Sequence, residues 1–286
     1  MKSKIKDFLE LSKLKIMIPV SLTGFTGFFI YDPYISFRLI MLTFGVMFLA
    51  ISASVLNQLQ EVKIDRKMER THNRPLPSGR ITPKQAFLYF IFNLIAGSIL
   101  VYSEGNLSAL IIGLITIFWY NVIYTYAKRV TAFAVLPGAL TGALPPIIGW
   151  VAAGGNVSDK TIIFIGFLFF AGQIPHFWLL LLKYGNEYEN AGLPSLTKIM
   201  SRIQISRLTF SWLLLTVCAA LFLNYFDIIE NQYLTWALVV SSVILVWQFA
   251  GLIKIGERNN YKKYTILLNS YFLMILALLI TESIIN

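Results

Sequence analysis

The chain has 286 residues, of which 57% are hydrophobic, 15% aromatic and only 13% charged, with a formal net charge of +10. Soluble domains carry about 25% charged residues. Half that share cannot cover a water-soluble protein of this size, so a soluble enzyme, a disordered regulator and a secreted disulfide scaffold are excluded together. The single cysteine, Cys218, can form no internal disulfide.

The amino end carries Lys2, Lys4, Lys6, Lys13 and Lys15 and leads into an apolar span with no small-residue cleavage site, so no cleaved leader is expected. Ile5, Phe8, Leu9 and Leu11 fall on or near one helical face, which predicts a short helix on the membrane surface. Nine apolar segments follow, at 14–31, 36–56, 84–103, 107–127, 131–153, 160–182, 206–226, 232–253 and 264–284. Each matches the ~20 residues needed to cross a bilayer core of ~30 Å. The expected fold is therefore all-α: a polytopic membrane protein of about nine transmembrane helices, bundled around a central chamber as one domain over 1–286. Of the 24 basic residues, 22 fall on the amino end and on alternate connections, including 254–263, whereas the opposite side holds Arg38 and Lys160. That asymmetry predicts a cytoplasmic amino terminus and an outer carboxyl terminus. Topology accounts for the positive charge, and no nucleic-acid partner is expected.

Two cytoplasmic connections, 57–83 and 183–205, are longer than the rest and mix acids with bases, which marks them as the working parts. The first opens with Asn57, Glu61 and Asp65 at i, i+4 and i+8. Each step of four turns a helix by about 40°, so the three share one face and span about 12 Å. Such a ladder of oxygen ligands suits Mg²⁺, which commonly combines one or two carboxylates with substrate phosphates. Lys63 lies about 200° from both acids, off that face. Arg66, Lys67, Arg70 and Arg74 follow, before Pro75, Pro77 and Gly79, which are expected to stop the helix. Arginine forks match phosphate oxygens two at a time.

The fourth span closes on WYNVIYTYAKRVT, with Asn121, Tyr124, Lys128 and Arg129 at its cytoplasmic end. In the fifth, Pro145 and Pro146 are expected to break the helix among small residues that allow close helix approach. The sixth ends in GQIPHFWLLLLKYGNEYENAGLPSL, where Pro175 predicts a kink. His176, Lys183 and Glu187 fall within about 40° of one another on an unbroken helix. A histidine inside a span is costly and marks a functional site, or else it is a core residue bonded to a neighbouring carbonyl. Glu189 points about 200° from Glu187 and is left out of the site. Trp119, Tyr120, Phe177 and Trp178 are candidates for lining an isoprenoid or cation path, though lipid-facing rings are commoner.

The run N-x-x-x-E-x-x-x-D-R-K-M-E-R-T-x-N-R-P-L-P-x-G-R resembles the first motif of the intramembrane, UbiA-type prenyltransferases, and most closely their haem O synthase branch. The family's common form is N-x-x-x-D-x-x-x-D, so Glu61 replaces an aspartate, and Lys63 stands where the branch often has another acid. P-H-F-W-(x)₉-Y-(x)₂-A-G-x-P resembles the same branch, with Glu187 in place of an aspartate and without the wider family's second D-x-x-x-D. Y-T-Y-x-K-R and GALTGALPPIIGW extend the likeness, which runs from the second span to about residue 200.

The resemblance implies a Mg²⁺-dependent prenyl transfer in a bacterial inner membrane. Farnesyl diphosphate would alkylate a vinyl group of haem B, and water would complete the side chain of haem O. Asn57, Glu61 and Asp65 would hold the metal from one side and Glu187 from the other. Arg66, Arg70, Arg74, Tyr124, Lys128 and Lys183 would bind the diphosphate, and His176 would orient the haem or a water. Partners implied are farnesyl diphosphate, haem B, membrane lipid and haem A synthase. A quinone or lipid prenyltransferase shares the ionisation step but differs in acceptor. A transporter would place its polar residues at the midplane on broken helices, whereas these acids sit at one membrane face.

Overall fold

Most of the long apolar segments become helices whose starts are fixed by oxygen-bearing side chains. Ser36 accepts from Leu39 N, Asn106 from Ala109 N and Asp159 from Thr161 N, while Thr82 with Gln85 and Ser201 with Gln204 form reciprocal capping boxes. Each cap satisfies backbone donors that the first helical turn leaves free. The computed structural model describes residues 2–254 and 260–285. Its helices are α1 (Lys2–Ser12), α2 (Leu14–Tyr31), α3 (Phe37–Asp65), α4 (Pro83–Glu104), α5 (Leu107–Phe118), α6 (Thr125–Val130), α7 (Val135–Ala153), α8 (Lys160–Asn190), α9 (Arg202–Tyr225), α10 (Gln232–Lys254) and α11 (Tyr261–Ile285). Nine helices among the described residues are long and apolar enough to cross a membrane, the fourth being the continuous run Leu107–Val130. Arg258, one of the bases expected in the last cytoplasmic connection, lies outside the described residues.

Neighbours in sequence pack side by side, α3 on α4, α7 on α8, α8 on α9 and α10 on α11, and α11 returns against α2 and α8. At the α2–α7 seam the backbones approach closely. A Cβ added at Gly27 would lie 1.9 Å from the carbonyl oxygen of Pro146, and one at Gly149 would lie 1.9 Å from that of Gly24. Two backbones meet here because neither carries a side chain. At the far face from the basic loops, Arg38 donates to the carbonyls of Glu104 and Ala152, closing the carboxyl ends of α4 and α7.

The helices that carry the motifs outrun the bilayer. α3 has 29 residues and α8 has 31, about 44 and 46 Å at 1.5 Å per residue, against a hydrocarbon core of ~30 Å. Their surplus turns carry the polar ladders at the end of the bundle where the basic loops gather.

Three expectations need correction. α3 ends at Asp65, ten residues before Pro75. Thr71 Oγ1 donates to the Asp65 carbonyl at 2.8 Å and the chain curls into turns through Arg80, with Met68, Leu76 and Ile81 buried. α7 runs unbroken through Pro145 and Pro146, because adjoining helices tolerate prolines inside membrane helices. α8 also remains one helix across Pro175, as a kinked helix would. α1 uses two faces: Leu11 is fully buried and Phe8 packs on Tyr89, whereas Ile5 and Leu9 are exposed. Its inner face shares a small apolar cluster with Ile51, Val55, Leu76 and Ile81, which seats both α1 and the turns after α3.

Candidate active site

Asn57, Glu61 and Asp65 share the inward face of α3 and are 4%, 8% and 5% exposed. Buried carboxylates demand charged or hydrogen-bonded partners, and each polar group finds one. Lys128 Nζ lies 2.5 Å from Glu61 Oε1, Arg74 Nη1 lies 3.0 Å from Asp65 Oδ2, and Asn57 Nδ2 donates to Thr125 Oγ1 at 3.0 Å. Lys63 is exposed, off the ladder. The curl after Asp65 turns Arg74 back onto the helix it followed.

Lys128 reaches Glu61 from a span whose helix changes winding. Between α5 and α6, Trp119–Tyr124 form a π-helical turn, and Thr125 Oγ1 donates to the Tyr120 carbonyl at 2.8 Å. A π turn inserts a residue into the α-helical phase, so it resets the direction of everything beyond it. Asn121 is buried against α3, where its carbonyl accepts from Gln60 Nε2. Arg129 donates to the Gln60 carbonyl at 2.8 Å, and Lys128 lies 5.3 Å from the centre of the Tyr124 ring. Tyr120, Tyr124 and Phe177 form a chain of rings with centroids 5.4 and 6.0 Å apart. Tyr124, Lys128, Phe177, Trp178 and Tyr188 line a cavity of about 130 Å³. Trp119 instead donates to the Pro137 carbonyl and knits the fourth and fifth spans together.

Glu187 meets the turns after α3 rather than the ladder itself. Its Oε2 accepts the Arg70 N–H at 3.0 Å, and Arg70 Nη2 reaches the Tyr188 hydroxyl at 3.4 Å. The Arg70 guanidinium lies over the Tyr184 ring, as does the exposed Lys183. Arg66 is also exposed and donates to the Pro77 carbonyl. Arg66 and Lys183 are thus exposed, while Arg74 and Lys128 hold the ladder acids and the Arg70 backbone holds Glu187. Glu189 accepts from Thr197 Oγ1, turned away from this group. His176 sits more than two turns deeper on α8, edge-on to Phe177 with the Asn269 side chain of α11 as its polar neighbour.

Lys13 lies near this group, and sequence reasoning did not single it out. It joins α1 to α2 with φ 50° and ψ 44°, in the left-handed region. Its side chain is half-buried and lies within electrostatic range of both ion pairs. Burial, followed by repulsion from Arg74 and with Lys128 adding to it, lowers this ammonium to about 7 against the pull of Asp65 and Glu61. Nothing in the sequence distinguishes it from the other lysines of the amino end. Tyr188, by contrast, stands inside the second motif.

The donor set fits a hard cation shared with a phosphate ligand. Asn57, Glu61 and Asp65 offer only oxygen ligands, and Asn121 Oδ1 is buried without a hydrogen-bond partner among the described residues. No three His, Cys, Asp or Glu side chains among the described residues converge closely enough to hold an ion alone. The remaining ligands would be water and phosphate oxygens, the usual arrangement for Mg²⁺.

Residues 20–276 match the model of the UbiA prenyltransferase family. The chain is 37% identical over 201 residues to a protoheme IX farnesyltransferase of Geobacter sulfurreducens, covering 70% of this chain and 74% of that one. It is 30% identical over 284 residues to protoheme IX farnesyltransferase 1 of Pseudomonas fluorescens, covering 96% and 92%. In fold it matches a digeranylgeranylglyceryl phosphate synthase with a TM-score of 0.78 at 21% identity, over 99% of this chain and 100% of that one. A UbiA homolog from Archaeoglobus fulgidus bound to GPP and Mg²⁺ matches with a TM-score of 0.74 at 15% identity, over 97% and 98%.

Proposed function

We propose a specific reaction for this chain, which belongs to the UbiA prenyltransferase family: transfer of the farnesyl group of farnesyl diphosphate to a vinyl group of haem B, giving haem O. The carbon–oxygen bond to diphosphate breaks, and the allylic C1 bonds to the terminal vinyl carbon. Water then adds at the adjacent carbon and loses a proton, leaving a hydroxyethylfarnesyl side chain. The acceptor rests on the likeness to protoheme IX farnesyltransferases over most of the chain.

The observation that carries the ionisation step is the pairing of Lys128 with Glu61 and of Arg74 with Asp65 at one end of the helical bundle. Asn57, Glu61 and Asp65, together with Glu187, would hold Mg²⁺, whose charge would neutralise the leaving diphosphate. Lys128 and Arg74 would then exchange their carboxylates for phosphate oxygens, the Arg70 guanidinium would turn from the Tyr188 hydroxyl to the phosphate, and Arg66 and Lys183 would draw the anion in. Preset donors of this kind stabilise charge as it develops. The Tyr124 and Phe177 rings beside the cavity offer π faces to the allylic cation and keep water from it until the new bond has formed. His176 would orient the haem edge or the attacking water.

The active face is cytoplasmic, the carboxyl terminus lies outside, and the membrane is the bacterial inner membrane. Haem A synthase would consume the product. Purified protein incubated with haem B, farnesyl diphosphate and Mg²⁺ should yield a haem heavier by one hydroxylated farnesyl unit. Unchanged haem, with prenylation of an aromatic acid instead, would overturn the acceptor.

A further inference from the structure

We propose that Lys13 is a further diphosphate-binding residue, delivered to the site by the amino-terminal helix acting as a strap. The inference rests on the diphosphate reading above. It begins from a conformational cost: an L-residue with a side chain is strained in the left-handed region, a place that glycine fills cheaply.

The backbone explains the conformation. Lys13 N donates to the Glu10 carbonyl at 3.1 Å and finishes α1, while its own carbonyl accepts from Ile16 N and Met17 N and starts α2. One residue therefore makes the whole corner between a surface helix and a membrane span. A glycine would make that corner with less strain, so the lysine side chain is what the position keeps.

Three attachments hold the corner in place. Gln58 Nε2, adjacent in sequence to Asn57, donates to the Leu11 carbonyl at 2.8 Å. Ser12 Oγ bonds the Tyr89 hydroxyl at 2.7 Å. Arg80, at the end of the turns that carry Arg70 and Arg74, binds Asp7 and Glu10 of α1. The strap is thus tied to the metal-ligand helix and to the arginine-bearing turns together.

Charge completes the case. Around the ladder, Lys128 and Arg74 each have a carboxylate, whereas Lys13 has none within ion-pair distance among the described residues. A third basic group within electrostatic range of two ion pairs has no counter-charge of its own until an anion arrives. Diphosphate, with several negative charges, is the ligand class that uses it.

The test titrates Mg²⁺–pyrophosphate calorimetrically into the full-length protein in detergent and measures KM and kcat for farnesyl diphosphate alongside. Lys13→Gly keeps the corner and removes the ammonium, whereas Lys13→Arg keeps the charge. The glycine variant should bind pyrophosphate about 10- to 100-fold more weakly, the range of one charge-assisted hydrogen bond. KM should rise in step, the arginine variant should recover most of the loss, and the glycine variant should melt no lower than the parent. Unchanged pyrophosphate affinity in Lys13→Gly, or an arginine variant as weak as the glycine one, would overturn the proposal. So would a parent protein that binds no pyrophosphate. A parent that binds pyrophosphate yet leaves haem B unaltered would sink the haem reading while the titration still decides Lys13.

Discussion

Lys128 Nζ stands 2.5 Å from Glu61 Oε1 and 5.3 Å from the centre of the Tyr124 ring. One cation therefore bridges the acid ladder and the aromatic wall of the cavity, the two halves of a site that must hold a diphosphate and shelter a carbocation.

That bridge predicts a contrast between two lysines. Lys63, on the same helix as the acids, is exposed on the other side. Lys128→Ala should raise KM for farnesyl diphosphate at least tenfold, because a partly buried charge-assisted contact to phosphate is lost. Lys63→Ala should change it less than twofold, since exposed charges contribute little. Steady-state kinetics at fixed haem B measures both, and equal losses would remove Lys128 from its place.

Asp65 tests the ladder. Asp65→Asn keeps the shape and removes the charge, so turnover should fall about 100-fold or more, as when a preset electrostatic group is lost. The Mg²⁺ needed for half-maximal rate should rise, and chelation of the metal should stop the parent enzyme. Arg74, about a quarter exposed, loses its carboxylate, so stability should fall by only about 1–2 kcal/mol. Normal activity at low Mg²⁺ would exclude Asp65 as a ligand. Glu61→Asp, the family's common residue at that position, should remain active.

Legibility divides along regular and irregular backbone. Asn57, Glu61 and Asp65 were readable as one face because a regular helix fixes the angle between them, and the same arithmetic put Lys63 aside. The nine spans were readable because bilayer thickness dictates their length. Arg74 on Asp65 was not readable: the contact depends on a curl of turns held by Thr71 and by buried Met68 and Leu76. The π turn at Trp119–Tyr124 has neither glycine nor proline to announce it, yet it aims Lys128. Lys13 adopts a glycine-like conformation without being glycine.

Gly27 tests the fold apart from the chemistry. A methyl group there would lie 1.9 Å from the Pro146 carbonyl oxygen, with the rest of that residue's backbone close behind. Backbone cannot swing aside as a side chain can, so α2 and α7 must separate. Gly27→Ala should cost about 3 kcal/mol, the upper end of overpacking penalties, and lower the melting temperature in detergent. Gly79, where an added Cβ meets nothing within 4 Å, is the control for space, though its φ of 78° carries a strain of its own. A Gly27→Ala protein as stable as its parent would mean that the two spans pack less closely than described.

His176 separates a haem acceptor from an aromatic acid. It lies inside α8 beside Asn269, more than two turns below Glu187, at a depth suited to an acceptor rather than to the diphosphate. An imidazole is among the few side chains here able to ligate iron or to orient a polar haem edge. His176→Ala should therefore weaken haem binding about tenfold, seen as a lost or shifted Soret band, while Mg²⁺–pyrophosphate affinity stays within twofold of the parent. A packing defect alone would lower the melting temperature without moving the Soret band, and Asn269→Ala should reproduce part of the spectral change by freeing the ring. An unaltered spectrum in His176→Ala would take the histidine out of the haem site and leave the acceptor to be held by the aromatic wall.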